Sequence, residues 1–164
     1  MSIRTSKAVI KDYQFSLLAK TETNDCVVKA MAVIAECTYE EAHEAARLYM
    51  NRERRKGVLT TALIKYMNER HCPVITKHAD HLIHGAIVKM QPHTTYVAKK
   101  TGKKTFHRMT VGTFAKQFNK GKYYVLIKGH IFAVVDGEIL GNRIDAEKLR
   151  TRVYRAWKVH REIL

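Results

Sequence analysis

Residues Thr21 to Cys37 read TETNDCVVKAMAVIAEC, and the fold turns on how this stretch is taken. A polar cluster, Thr23-Asn24-Asp25, runs directly into an apolar pattern of helical period carried by Val27, Val28, Met31, Ile34 and Ala35. The pattern predicts a helix with Thr23 or Asn24 as its N-cap, because a short side-chain oxygen accepts an orphan backbone N–H of the first turn. Cys26 then falls in that turn, beside free donors and the positive end of the helix dipole. A thiol there is placed as a nucleophile, with backbone N–H groups ready for an oxyanion. The dipole alone contributes about 0.3–1 kcal/mol, less than one pKa unit. A cysteine of ordinary pKa, ~8.5, therefore needs a base from elsewhere in the chain. The alternative is that Cys26 is a small side chain packed on a core helix, as free cysteines often are.

The chain around this stretch has 164 residues, 46% of them hydrophobic, with two prolines and eight glycines. That is enough for one domain with a real core and argues against long disordered tracts. The three cysteines, Cys26, Cys37 and Cys72, show no paired framework, and no signal-type apolar run opens the chain. A reducing cytoplasm is the expected compartment. No apolar run approaches the roughly 18 residues of a membrane span. Lys and Arg number 30 against 15 Asp and Glu, a net charge of +15 with a pI near 9.9. Such a field favours nucleic acid, an acidic protein surface or anionic lipid, although solubility alone is a sufficient reason for it.

After the first helix, Thr38-Tyr39-Glu40-Glu41 forms a capping-box sequence. It predicts a second helix to about Arg54, with Ala42, Ala45, Ala46, Tyr49 and Met50 inward and Gly57 as its closing residue. His43 on this helix is read as a surface or packing residue. Thr60 or Thr61 caps a third helix to about Arg70, and Pro73 to Thr76 looks like a strand entry. His78, His81 and His84 follow at spacing three, but the outer two diverge in angle and no cysteine pair accompanies them, so no metal site is assigned.

Val97 to Arg108 reads as a basic hairpin tip carrying Lys99, Lys100, Lys103, Lys104 and Arg108, with Tyr96, Phe106 and His107 alongside. Cations interleaved with aromatics suit phosphate contact with base stacking; they equally suit an exposed, solvated loop. Thr110 caps a short helix, Val111 to Phe118, with Phe114 and Phe118 toward the core. Near the C-terminus, Arg150, Arg152, Arg155, Lys158 and Arg161 make a second basic stripe on a segment of β character. It reads either as an edge strand protected by charge or as a polyanion site.

Between these lies the second half of the candidate site. Tyr123 to Ile127 is a strand, Lys128-Gly129 breaks it, and His130 to Val135 is a nearly continuous apolar strand that turns at Asp136-Gly137 and returns over Glu138 to Leu140. His130 opens a buried strand directly after a glycine, which holds an imidazole as rigidly as a base for Cys26 requires. The alternative is a satisfied core histidine.

Asn24-Asp25-Cys26-Val27-Val28-Lys29-Ala30, a run of helices, then Gly129-His130-Ile131-Phe132-Ala133-Val134-Val135-Asp136-Gly137 follow the order of the nucleophile and base segments of papain-like cysteine peptidases. Over roughly Thr21 to Asn142 the chain resembles that family, especially its small phage and bacterial members. The resemblance implies an α+β fold: one domain over 1–164, a helical part over about 21–71 packed on a mainly β, antiparallel part over about 72–164. It implies Cys26 as nucleophile, His130 as base, a site in the cleft and no cofactor.

Where the family usually has an oxyanion-donating glutamine, about six residues before the nucleophile, this chain has Lys20. Thr21, Thr23 or Asn24 is left to substitute, or else the Cys26 N–H serves alone. The residue orienting His130 depends on hairpin register. A three-residue loop Val135-Asp136-Gly137 pairs His130 with Asn142 on the same face. A two-residue turn pairs it with Arg143 and gives Asp145 the right parity. Asn142 is preferred.

Two functions follow. The first is a thiol hydrolase cleaving a peptide or isopeptide bond, phage-encoded and acting in the bacterial cytoplasm or virion. The second is a catalytically degenerate version of the same fold, a basic module that binds or inhibits through nucleic acid or an acidic host protein.

Overall fold

The computed structural model describes residues 16–53, 55–58, 85–90, 92–141 and 149–161. The polar cluster before Cys26 separates a short helix, α1 (Leu17–Thr21), from a longer one, α2 (Cys26–Ala35). The N-cap is Asp25, not Thr23 or Asn24, and its side chain makes no capping bond. Asn24 adopts a left-handed backbone, φ 52°, which carries the turn one residue further. Thr23 Oγ1 and Asn24 Nδ2 instead donate to the carbonyl of Arg55, at 3.2 and 3.3 Å.

Burial on α2 extends beyond the expected stripe. Val27, Val28, Ala30, Met31, Ala32, Val33 and Ile34 are all buried, as in a helix enclosed on most sides. One side packs on α3 (Tyr39–Met50), whose Ala42, Ala45 and Ala46 allow close approach. The capping box of α3 forms as expected between Thr38 and Glu41. The helix ends earlier than expected, however. Asn51, at φ 53°, takes the left-handed C-terminal position assigned to Gly57.

The rest of the described chain is largely β. In order come β1 (Gly85–Met90), β2 (His93–Val97), β3 (Lys104–Arg108), helix α4 (Val111–Gln117), β4 (Lys122–Ile127), β5 (His130–Val135), β6 (Glu138–Leu140) and β7 (Arg155–Arg161). Five strands form one antiparallel sheet in the order β1-β7-β4-β5-β6, while β2 and β3 pair only with each other. The C-terminal basic strand is therefore interior to the sheet, between β1 and β4. Its charges cannot serve to guard an edge.

Both faces of the central strands are covered, which explains their continuous apolar sequence. Tyr124, Leu126, Ile131, Ala133 and Trp157 join α2 and α3 in one core. Tyr123, Val125, Ile127, Phe132, Val134 and Ala156 join Met109, Val153 and α4 in the other. Thr110 caps α4 as expected; Phe114 is fully buried and Phe118 packs beside it, ring centroids 4.8 Å apart. At the far end of α2, Lys122 Nζ on β4 donates to the Ile34 carbonyl and to Glu36 Oε1, both at 2.9 Å. A cation there opposes the negative end of the helix dipole.

The turn between β5 and β6 corrects the register argument. Val135 pairs with Glu138, leaving a two-residue Asp136-Gly137 turn with φ of 49° and 81°. Both positive angles are those of the tight hairpin turn that Asp-Gly favours. The three-residue loop that selected Asn142 does not form. Asn142 and Asp145 themselves lie outside the described residues, as do the third helix, the Pro73–Thr76 segment and the three spaced histidines. Among the described residues, no helix is long and apolar enough to cross a membrane.

Trp157 is fully buried between α2, α3 and the sheet. Trp157→Ala is expected to lower stability by about 3–5 kcal/mol. Urea denaturation followed by far-ultraviolet circular dichroism measures this, since the only tryptophan fluorophore is lost with the substitution.

Candidate active site

Two chain reversals bring the halves of the site together. The first ends at Asp25, where the bond from Lys29 N–H to the Asp25 carbonyl, at 3.0 Å, opens the helical ladder of α2. The N–H groups of Cys26, Val27 and Val28 therefore have no backbone carbonyl to bond within the helix. The second is the Lys128-Gly129 turn, with Gly129 at φ 71°, which pairs Ile127 with His130 and puts the imidazole on the first residue of β5.

In this antiparallel register the odd-numbered residues of β5 direct their backbone polar groups away from β4. β6 takes those groups only over Ala133–Val135. At Ile131 the start of α2 lies on that side of the strand. The Cys26 sulfur receives hydrogen bonds from the His130 imidazole and from the backbone N–H groups of Ile131 and Val27. The His130 ring also stands 5.9 Å from that of Phe132, on the same face of the strand.

Cys26 is half-buried, and burial pushes its thiol pKa up. The His130 hydrogen bond and charge, with the two backbone N–H groups, outweigh that effect and hold the pKa below the ordinary thiol value. Each of these partners favours the thiolate over the thiol.

The carboxylate beside the thiol is engaged elsewhere. Tyr39 Oη donates to Asp25 Oδ2 at 2.7 Å, and Lys29 Nζ lies 3.5 Å from Asp25 Oδ1. Burial, then the Asp25 carboxylate, pushes the Tyr39 hydroxyl far above its usual pKa, so it remains a donor. Asp25 is thereby drawn away from the first-turn N–H groups, of which that of Val27 donates to the sulfur instead.

A second polar group holds the preceding loop. Glu22 Oε2 accepts from Arg52 Nη2 at 2.7 Å and from the Arg55 N–H at 3.1 Å, with the Glu22 and Arg52 side chains buried. Arg52 also donates to the Thr23 carbonyl at 3.1 Å, and Arg55 Nε to that of Thr21 at 3.0 Å. His43 Nε2 lies 3.7 Å from the same Glu22 oxygen, so this histidine belongs to the loop support. Burial alone would raise the Glu22 pKa, but Arg52, the Arg55 N–H and His43 together hold it below the usual carboxylate value.

Sequence reading found the thiol and the imidazole, but not this support. Glu22 and Arg52 carry no local signal, because their partners lie 30 to 33 positions away, and the Tyr39 partner of Asp25 lies 14 away. The oxyanion candidates Thr23 and Asn24 are exposed and tied to the Arg55 carbonyl. Lys99, Lys100, Lys103, Lys104 and Arg108 lie exposed on the β2–β3 hairpin, while Arg152, also exposed, and Arg155, half-buried, stand at the entrance to β7. Compared with known proteins, the chain matches no family model, no curated sequence and no solved structure.

Two outcomes follow from this geometry. The pH midpoint of Cys26 alkylation by iodoacetamide is expected below that of a free thiol, and His130→Ala is expected to move it upward; mass spectrometry separates Cys26 from the buried Cys37. Glu22→Gln leaves Arg52 uncompensated in the interior and is expected to cost about 3 kcal/mol at neutral pH. Because folding lowers the Glu22 pKa, its contribution is complete above the unfolded carboxylate pKa and fades as pH falls through the folded one. Denaturation curves of the two proteins should therefore converge in acid.

Proposed function

We propose that this chain is a papain-like thiol hydrolase acting on a peptide or isopeptide bond. The observation that carries the proposal is the Cys26 sulfur, at a helix start without a side-chain cap, hydrogen-bonded by His130 and by the Ile131 N–H. A core cysteine needs none of these partners. A nucleophile needs the first, and gains reactivity from the others.

In the proposed reaction His130 takes the Cys26 proton and the sulfur attacks the carbonyl carbon. Negative charge develops on the carbonyl oxygen beside the open first turn of α2, whose N–H groups are fixed in place before the reaction. His130 then gives its proton to the leaving amine, and the C–N bond breaks to leave an acyl group on sulfur. Water, deprotonated by His130, attacks that thioester and restores the thiol. The chemistry uses only side chains, backbone donors and water. The resemblance extends the proposal to a phage-encoded protein acting on a protein or peptide substrate in the host cytoplasm or virion.

An electrophilic peptidyl epoxide tests the reading directly. It is expected to modify Cys26 rapidly and stoichiometrically, with the reaction lost in His130→Ala. Cleavage of a fluorogenic peptide library is expected to fall at least ~10³-fold in Cys26→Ala. Slow labelling of all three cysteines at equal rates, indifferent to His130, would remove the proposal.

A further inference from the structure

Two segments with no acidic residue meet at the base of the β2–β3 hairpin. Residues 92–108 and 149–161 hold ten Lys and Arg and not one Asp or Glu. They are stitched together by backbone bonds from Val153 N–H to the Met109 carbonyl and from Val111 N–H to the Thr151 carbonyl, each at 2.8 Å. Arg152 Nη1 donates to the Arg108 carbonyl at 2.7 Å. The base of the β2–β3 hairpin and the 150–155 segment, far apart in sequence, are therefore neighbours.

Aromatic rings accompany the cations of both. On β3, Lys104, Phe106 and Arg108 alternate onto one face of the hairpin, and the cross-strand partner of Lys104 is Val97. Phe106 is 67% exposed and Val97 58%. The Arg108 guanidinium lies over the Tyr154 ring, 4.5 Å from its centroid, with Arg155 at 5.5 Å. Tyr154 is itself 39% exposed. Along a line of about 13 Å on β3 and onward to Tyr154, cations and flat apolar rings alternate. Every residue of β3 is exposed, an unusual state for one strand of a two-stranded sheet, which has little stability of its own in water.

An acidic peptide would use the cations and gain little from Phe106 or Tyr154. A single-stranded nucleic acid uses both, pairing phosphates with Lys and Arg while bases stack on the rings. We infer that the β2–β3 hairpin and the 150–155 segment form a binding surface for single-stranded nucleic acid. This surface shares no residue with the Cys26–His130 pair, so it stands or falls separately from the hydrolase proposal.

The test is fluorescence anisotropy of the full chain with a labelled oligothymidylate of roughly 15 nucleotides, titrated with salt, with polyglutamate of similar charge as competitor. Binding is expected to weaken linearly in log salt. Each lysine of the Lys99, Lys100, Lys103 and Lys104 set that pairs with a phosphate is expected to take about 0.7 from the slope when changed to Ala. Phe106→Ala and Tyr154→Ala are expected to weaken binding about tenfold each with little change in that slope. Phe106, the more exposed ring, guards against a folding artefact at Tyr154. Absence of binding, indifference to both aromatic substitutions, or equal displacement by polyglutamate would overturn the inference, the last pointing to an acidic protein partner instead.

Discussion

A sulfur, an imidazole and one strand N–H converge where the first turn of α2 meets the first residues of β5, and the surrounding architecture holds that meeting point. Neither side can drift alone. The imidazole belongs to a strand with both faces buried further along, and the thiol to a helix enclosed by α3 and the sheet. Close packing makes such a contact stiff, because displacement of either element opens voids that neighbouring side chains cannot fill.

The electrostatics of the contact balance opposing terms. Partial burial disfavours a thiolate, and a carboxylate sits one residue before it. Three hydrogen bonds to the sulfur outweigh the first, while Tyr39 and Lys29 occupy the second. The buried Glu22–Arg52 pair has another role. It fastens the loop leading into Cys26 to the segment after α3, so the chain enters α2 from a fixed direction. Pairs of this kind contribute little net stability but are costly to break, a property suited to positioning.

The elements with strong local signals were legible in sequence: the capping box at Thr38, the α4 cap at Thr110, the hairpin around Thr101-Gly102, and the strand opened by His130. Apolar period and short polar caps are enough for these. Other features depend on distant partners. Asp25 became the N-cap because Asn24 turned left-handed while its side chain bonded Arg55, and nothing in residues 21–26 encodes Arg55. The interior place of β7 was hidden by its charges, which suggest an edge until the strands on either side are known. Register at Asp136-Gly137 was a choice between two turns that the dipeptide alone permits; pairing of Val135 with Glu138 decides it. The coarse α+β class, helices packed on an antiparallel sheet, was legible from the order of these patterns.

Lys122 gives the fold a mechanical property. It grips the last turn of α2 from the end of β4 that pairs with Val135, while the first turn is held at the opposite end of the same hairpin, at His130. The ten-residue helix is thus a rod of about 15 Å pinned at both ends to one pair of strands. Unpinned at the lysine, it would become a lever with its pivot in the alanine-rich contact with α3. A tilt of roughly 8° about a pivot near mid-helix would then sweep the sulfur about 1 Å off line, a displacement comparable to those that cost enzymes a hundredfold in rate. A half-buried ammonium at the far end of the hairpin thereby aims an atom it never touches.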